Sequence, residues 1–103
     1  MMLGEVITAM IGDPAKKFAR KGWNGKNMFI YLTLPHKIKG SDWTGPKECV
    51  QKRDVMQDDG VTITEHFVLL SSHIDMKAAD GTVVIGWLAS QTDLIADDWV
   101  EVE

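Results

Sequence analysis

The sequence predicts an α+β fold: a small antiparallel β-sheet domain with an N-terminal helix and a short C-terminal helix ahead of the last strand. Three observations predict it. Apolar residues recur at helical spacing near the N-terminus, Asn-Gly and Asp-Gly pairs punctuate later stretches rich in β-formers, and a helix-capping signature directly precedes an alternating terminal segment.

Met2, Leu3, Val6, Ile7 and Met10 share one helical face, so residues 2 to 11 read as a helix that Gly12-Asp13-Pro14 stops. Lys17 to Lys21 reads as a short strand. Gly22-Trp23-Asn24-Gly25-Lys26 follows as a turn before a strand over Met28 to Leu34, because Asn-Gly takes the positive φ angles of a hairpin. Residues 35 to 60 contain Pro35, Pro46, Gly40, Gly45 and Gly60 and read as a long connection with one irregular strand near Cys49 to Met56. Asp58-Asp59-Gly60 is a turn. Val61 to Leu70 then becomes apolar on both faces, which predicts a central strand. His73 to Lys77 and Thr82 to Trp87 form a hairpin around Ala79-Asp80-Gly81. Ser90 and Asp93 have capping-box spacing before a short helix over Leu94 to Ala96, and Trp99 to Val102 alternates as a last, edge strand.

The 103 residues suit a single domain spanning 1–103, and a domain this small gains by burying surface against copies of itself. Fifteen acidic and eleven basic side chains leave a charge of −4 with the cations scattered, which argues against DNA but leaves room for a small anion held by a few local donors. Cys49 stands alone, so no internal disulfide forms and a reducing cytoplasm fits. The N-terminus lacks a signal-peptide pattern, and no stretch approaches the roughly 20 apolar residues of a membrane span. The expectation is a cytoplasmic protein with no membrane attachment.

No catalytic set emerges: Cys49 has no local activating motif, and Asp97-Asp98 reads as a solvated turn. His73 and Asp75 share one strand face, with His66 seven residues before His73; this is far from the short Cys/His spacings of a zinc site, so no metal is expected. Gly22 to Lys26 serves either as a plain hairpin turn or as an anion-binding loop in which Lys26 meets a phosphate. Trp87 to Asp93 serves either as core plus helix cap or as a nucleoside surface, with a base on the indole and ribose hydroxyls on Asp93.

Two segments carry a resemblance. Ala19-Arg20-Lys21-Gly22-Trp23-Asn24-Gly25-Lys26-Asn27-Met28 is one, and the other runs from Ile74 to Thr82 and on through Trp87-Leu88-Ala89-Ser90-Gln91-Thr92-Asp93 to Trp99. In these the chain is similar to the second family of Thoeris anti-defence proteins, small phage proteins; residues 35 to 70 show no correspondence. The resemblance implies a sponge that binds and sequesters glycocyclic ADP-ribose, the cyclic nucleotide messenger of Thoeris sensors, without cleaving it and with no cofactor. Some relatives bind cyclic dinucleotides from another defence system. It also implies a homo-oligomer, a tetramer, with pockets between protomers, acting in the cytoplasm of the infected bacterial host. On the matching segments, Trp23 or Trp87 would stack on the base, Asn24 and Lys26 would meet the pyrophosphate, and Ser90, Gln91, Thr92 and Asp93 would bond ribose and phosphate oxygens. Arg20 is a further phosphate candidate. The competing readings are a nucleotide-degrading enzyme using His73 and Asp75, and a structural or protein-binding phage component whose tryptophans only fill a core.

Overall fold

The computed structural model describes residues 1–23 and 26–103. In chain order its elements are α1 (Leu3–Gly12), β1 (Lys17–Arg20), β2 (Phe29–Thr33), β3 (His36–Lys39), β4 (Gln51–Met56), β5 (Thr62–Leu70), β6 (His73–Lys77), β7 (Val83–Val84), α2 (Gln91–Ile95) and β8 (Trp99–Val102). This is the α+β arrangement expected, with the N-terminal helix, antiparallel sheets and the short helix before the final strand. The elements form two compact units, one of residues Met1–Leu34 with Ser72–Glu103 and one of Pro35–Ser71.

In the first unit five strands lie in the order β7-β6-β2-β1-β8, antiparallel throughout. α1 packs on one face. Its buried Leu3, Val6 and Met10 meet Phe18, Ile30, Met76 and Trp99 in one apolar cluster. Burying each such side chain fully is worth about 1.5–3 kcal/mol, so this layer holds the unit together. The helix starts where Glu5 accepts the Met2 N–H at 3.1 Å. It ends where Asp13 N–H closes on the Ala9 carbonyl at 2.9 Å, just ahead of Pro14, which cannot continue a helix. Because side chains alternate across strands, Lys17, Ala19, Phe29, Tyr31, Asp75 and Lys77 point to the opposite face.

In the second unit β5 lies between β3 and β4. The strand is central, as its composition predicts, but only Phe67 and Val68 are buried, while Ile63 and Leu69 stay 49% and 57% exposed. Glu65 accepts from Lys37 and from Arg53, joining all three strands. Both cations also lie over the Phe67 ring, at 5.6 and 5.4 Å from its centroid.

Two details depart from the sequence reading. The connection after β2 contains a further strand, β3, which pairs with β5 from His36↔Leu70 to Lys39↔Phe67. The strand expected over Thr82 to Trp87 shrinks to β7, because Gly86 takes a φ of 73° and turns the chain out of the ladder. After β1 the chain enters a 3-10 turn at Lys21–Trp23; the Asn24-Gly25 pair on which the hairpin reading rests lies outside the described residues.

Candidate functional site

Three tryptophans far apart in sequence meet beside the apolar cluster. Trp23 lies with its ring centroid 5.2 Å from Trp99 and 6.3 Å from Trp87, and Trp87 is 6.0 Å from Trp99. All three pairs are nearly perpendicular, the edge-to-face geometry that the ring quadrupoles favour. Trp99 is fully buried, whereas Trp23 and Trp87 are half-buried and keep part of their surface open. Backbone geometry sets each one: Lys21 N–H bonds the Asp98 carbonyl at 3.3 Å, Lys26 N–H bonds the Trp23 carbonyl at 3.1 Å, and Trp87 N–H bonds the Ile74 carbonyl at 2.7 Å.

Beside the aromatic group sits a charge network. Arg20, at the end of β1, donates through Nε to Asp98 at 3.0 Å and through Nη1 to Asp93 at 3.1 Å. Its bonds to Asp98 and then Asp93 raise the guanidinium pKa further above its already high value. Asp93 also closes the cap of α2. Its Oδ2 accepts Ser90 N–H at 3.0 Å, and Ser90 Oγ accepts Asp93 N–H at 3.2 Å, the reciprocal box its spacing announced. Thr92 Oγ1 lies 3.0 Å from Ser90 Oγ. Burial opposes the charge on Asp93, yet the Ser90 amide, the Ser90 hydroxyl and Arg20 together hold its carboxyl below the usual carboxylate range.

On the sheet face away from α1, a cleft of about 320 Å³ is lined by Trp23 together with Lys17, Ala19, Asn27, Phe29 and Lys77. A second hollow of about 390 Å³ shares Lys17, Phe29 and Lys77 and extends to Tyr31 and Val83. Lys17 and Lys77 approach the Phe29 ring centroid at 5.1 and 5.7 Å. Their other polar contacts are main-chain oxygens, of Glu103 at 3.3 Å from Lys17 and of Asn27 at 3.0 Å from Lys77. Among the described residues neither lysine meets a carboxylate side chain, while Lys16, Arg20, Lys37 and Arg53 all do. The cleft therefore joins an aromatic edge to two cations without side-chain counterions.

The model of the Thoeris anti-defense 2-like domain matches residues 1–102. The chain belongs to this family. It is 34% identical over 101 residues to the Thoeris anti-defense 2 protein of Bacillus phage SP01, covering 96% of this chain and 91% of that protein.

Of the residues singled out for this anti-defense chain from sequence, the structure gathers Arg20, Trp23, Trp87, Ser90, Thr92 and Asp93 around one corner of the five-stranded unit. Gln91 is exposed on the first turn of α2 and Lys26 is exposed in the turn after Trp23; Asn24 lies outside the described residues. Arg20 is already committed to Asp98 and Asp93, and Asp93 to Arg20 and the cap. The lysines that face the cleft instead are Lys17 and Lys77, beside Phe29, which sequence reasoning missed. They belong to strands 60 residues apart in the chain, and only the register of β1, β2 and β6 brings them to one ring. His73 Nδ1–H donates to Asp75 at 2.7 Å. Among the described residues no three of His, Cys, Asp and Glu come together to hold a metal ion, and no helix is long and apolar enough to cross a membrane.

Proposed function

We propose that this protein is an immune sponge: it binds glycocyclic ADP-ribose and keeps it from the Thoeris effector without cleaving it, in the cytoplasm of the infected cell. The observation that carries this reading is Trp23, which joins the tryptophan group to the cleft holding Lys17 and Lys77. A cyclic nucleotide carries both features such a surface recognises, a planar base for an indole and a pyrophosphate for cations. Trp23 or Trp87 takes the base, Lys17 and Lys77 take the pyrophosphate together with Asn24 and Lys26, and Ser90, Gln91, Thr92 and Asp93 bond ribose and phosphate oxygens. Arg20 meets a phosphate only by loosening its hold on Asp98 or Asp93. Cyclic di- or oligonucleotides offer the same chemistry. Capture alone is sufficient when sites outnumber messenger and bind it more tightly than the effector does.

We further propose a homo-oligomer, a tetramer, with pockets shared between protomers. Support comes from half-exposed apolar side chains such as Ile63, Leu69 and Val83, which copies of the chain would cover.

A nucleotide-degrading enzyme is the second reading, favoured by the His73–Asp75 contact, in which a carboxylate orients an imidazole as in a general base. Calorimetric titration with glycocyclic ADP-ribose, followed by heat denaturation and analysis of the released ligand, separates the two. Saturable binding with intact recovery is expected; a hydrolysed product would establish the enzyme, and absence of binding would overturn both. Alanine at Lys17 or Lys77 should weaken binding roughly tenfold each, from about 1.5 kcal/mol per charge-assisted hydrogen bond.

A further inference from the structure

We infer that Asp75 is a positioning residue for the ligand site, holding the Gly86–Trp87 corner so that the Trp87 indole stands against Trp23 and Trp99. This rests on reading that aromatic group as the nucleotide surface. Asp75 lies on β6 with only 3% of its surface exposed, and a buried carboxylate in a strand is costly unless every oxygen is used. Both are. Oδ2 accepts the Thr33 hydroxyl at 2.6 Å, and Oδ1 accepts the His73 ring at 2.7 Å and the Gly86 N–H at 2.9 Å.

The Gly86 bond is the informative one. Thr33 and His73 are paired across β2 and β6 by the ladder itself, so their side-chain bonds add nothing to the register. Gly86 belongs to no strand. It lies two residues past the end of β7 with φ 73°, and the next residue is Trp87. Two bonds therefore fix this corner to β6: Trp87 N–H to the Ile74 carbonyl, and Gly86 N–H to Asp75. Only the second depends on a side chain. Ile85, just before the corner, is 74% exposed and gives no apolar anchor. Burial works against the charge of Asp75, but the bonds from Thr33, Gly86 and His73 hold its carboxyl below the usual range, so it stays an acceptor at neutral pH.

The test reads the corner without ligand. The protein is labelled with 5-fluorotryptophan, and its four indole fluorine resonances are assigned by single Trp→Phe changes. Asp75→Leu, close in volume but without an acceptor, should move the Trp87 resonance toward the solvent-exposed position and leave that of Trp43, in the second unit, in place. Asp75→Asn keeps an oxygen for Gly86 N–H and should restore Trp87. Glycocyclic ADP-ribose should bind at least tenfold more weakly to the Leu variant and within a few-fold of normal to the Asn variant. A folded Leu variant with an unmoved Trp87 resonance overturns the assignment. Equal displacement in Leu and Asn, or failure of both to fold, also overturns it, by tracing the effect to charge or to the fold at large. If the unaltered protein takes up no messenger, sequestration falls while the Trp87 resonance still decides the role of Asp75.

Discussion

Trp99 is wholly buried, and its indole N–H still reaches the Asp93 carbonyl at 3.1 Å. The residue thus belongs to the apolar cluster through its rings and to the α2 corner through its nitrogen. Trp99→Ala should cost about 3–5 kcal/mol in denaturant unfolding, the range for removing a large buried aromatic. Asp93 and Asp75 set a different dependence. Their carboxyls titrate lower in the folded chain than in the unfolded one, so the native state binds fewer protons at acid pH. Their stabilisation is complete above the unfolded value of about 3.9 and is lost as pH falls through the folded values. Thermal midpoints should be flat from neutrality to about pH 5 and drop below about pH 4. Asp93→Asn should lower the neutral midpoint and make the acid drop shallower; an acid limb as steep as before would show that Asp93 contributes none of it.

At the level of elements, local chemistry decided what could be read in advance. α2 was legible because Ser90 and Asp93 satisfy each other's amides over three residues, and the β6–β7 turn because Asp80 Oδ1 accepts Thr82 N–H while Gly81 takes a φ of 91°. Ser90→Ala removes one acceptor from this box and should cost about 1 kcal/mol, a fall of roughly 4–8 °C in melting temperature for a domain of this size. β3 was illegible. His36-Lys37-Ile38-Lys39 offers one half-buried apolar side chain, so period-two alternation has nothing to mark, and only its pairing with β5 makes it a strand. β7 failed in the opposite sense: Thr82 to Trp87 looks like a strand, but Gly86 redirects it toward Asp75. The site divides the same way. Trp23, Trp87 and Asp93 carry their chemistry in their residue types, whereas Lys17, Phe29 and Lys77 become a group only through strand register.

For the molecule as a whole, self-association bears on function because the proposed pockets are shared between copies. Ile63, Glu65, Phe67 and Leu69 alternate onto one face of β5, where Lys37 and Arg53 also lie. Covering the half-exposed Ile63 and Leu69 would gain about 1 kcal/mol each, a modest amount that becomes substantial when repeated in every copy. Glutamate at both positions replaces that apolar surface with charge and should lower the mass seen by light scattering. Tryptophan fluorescence from Trp23, Trp87 and Trp99 should keep its folded signature, because the first unit has its own apolar cluster. Messenger affinity should fall together with mass if each pocket draws on two chains. A wild-type protein that runs at the 11.5 kDa of one chain and still binds messenger would place the complete pocket within a single copy.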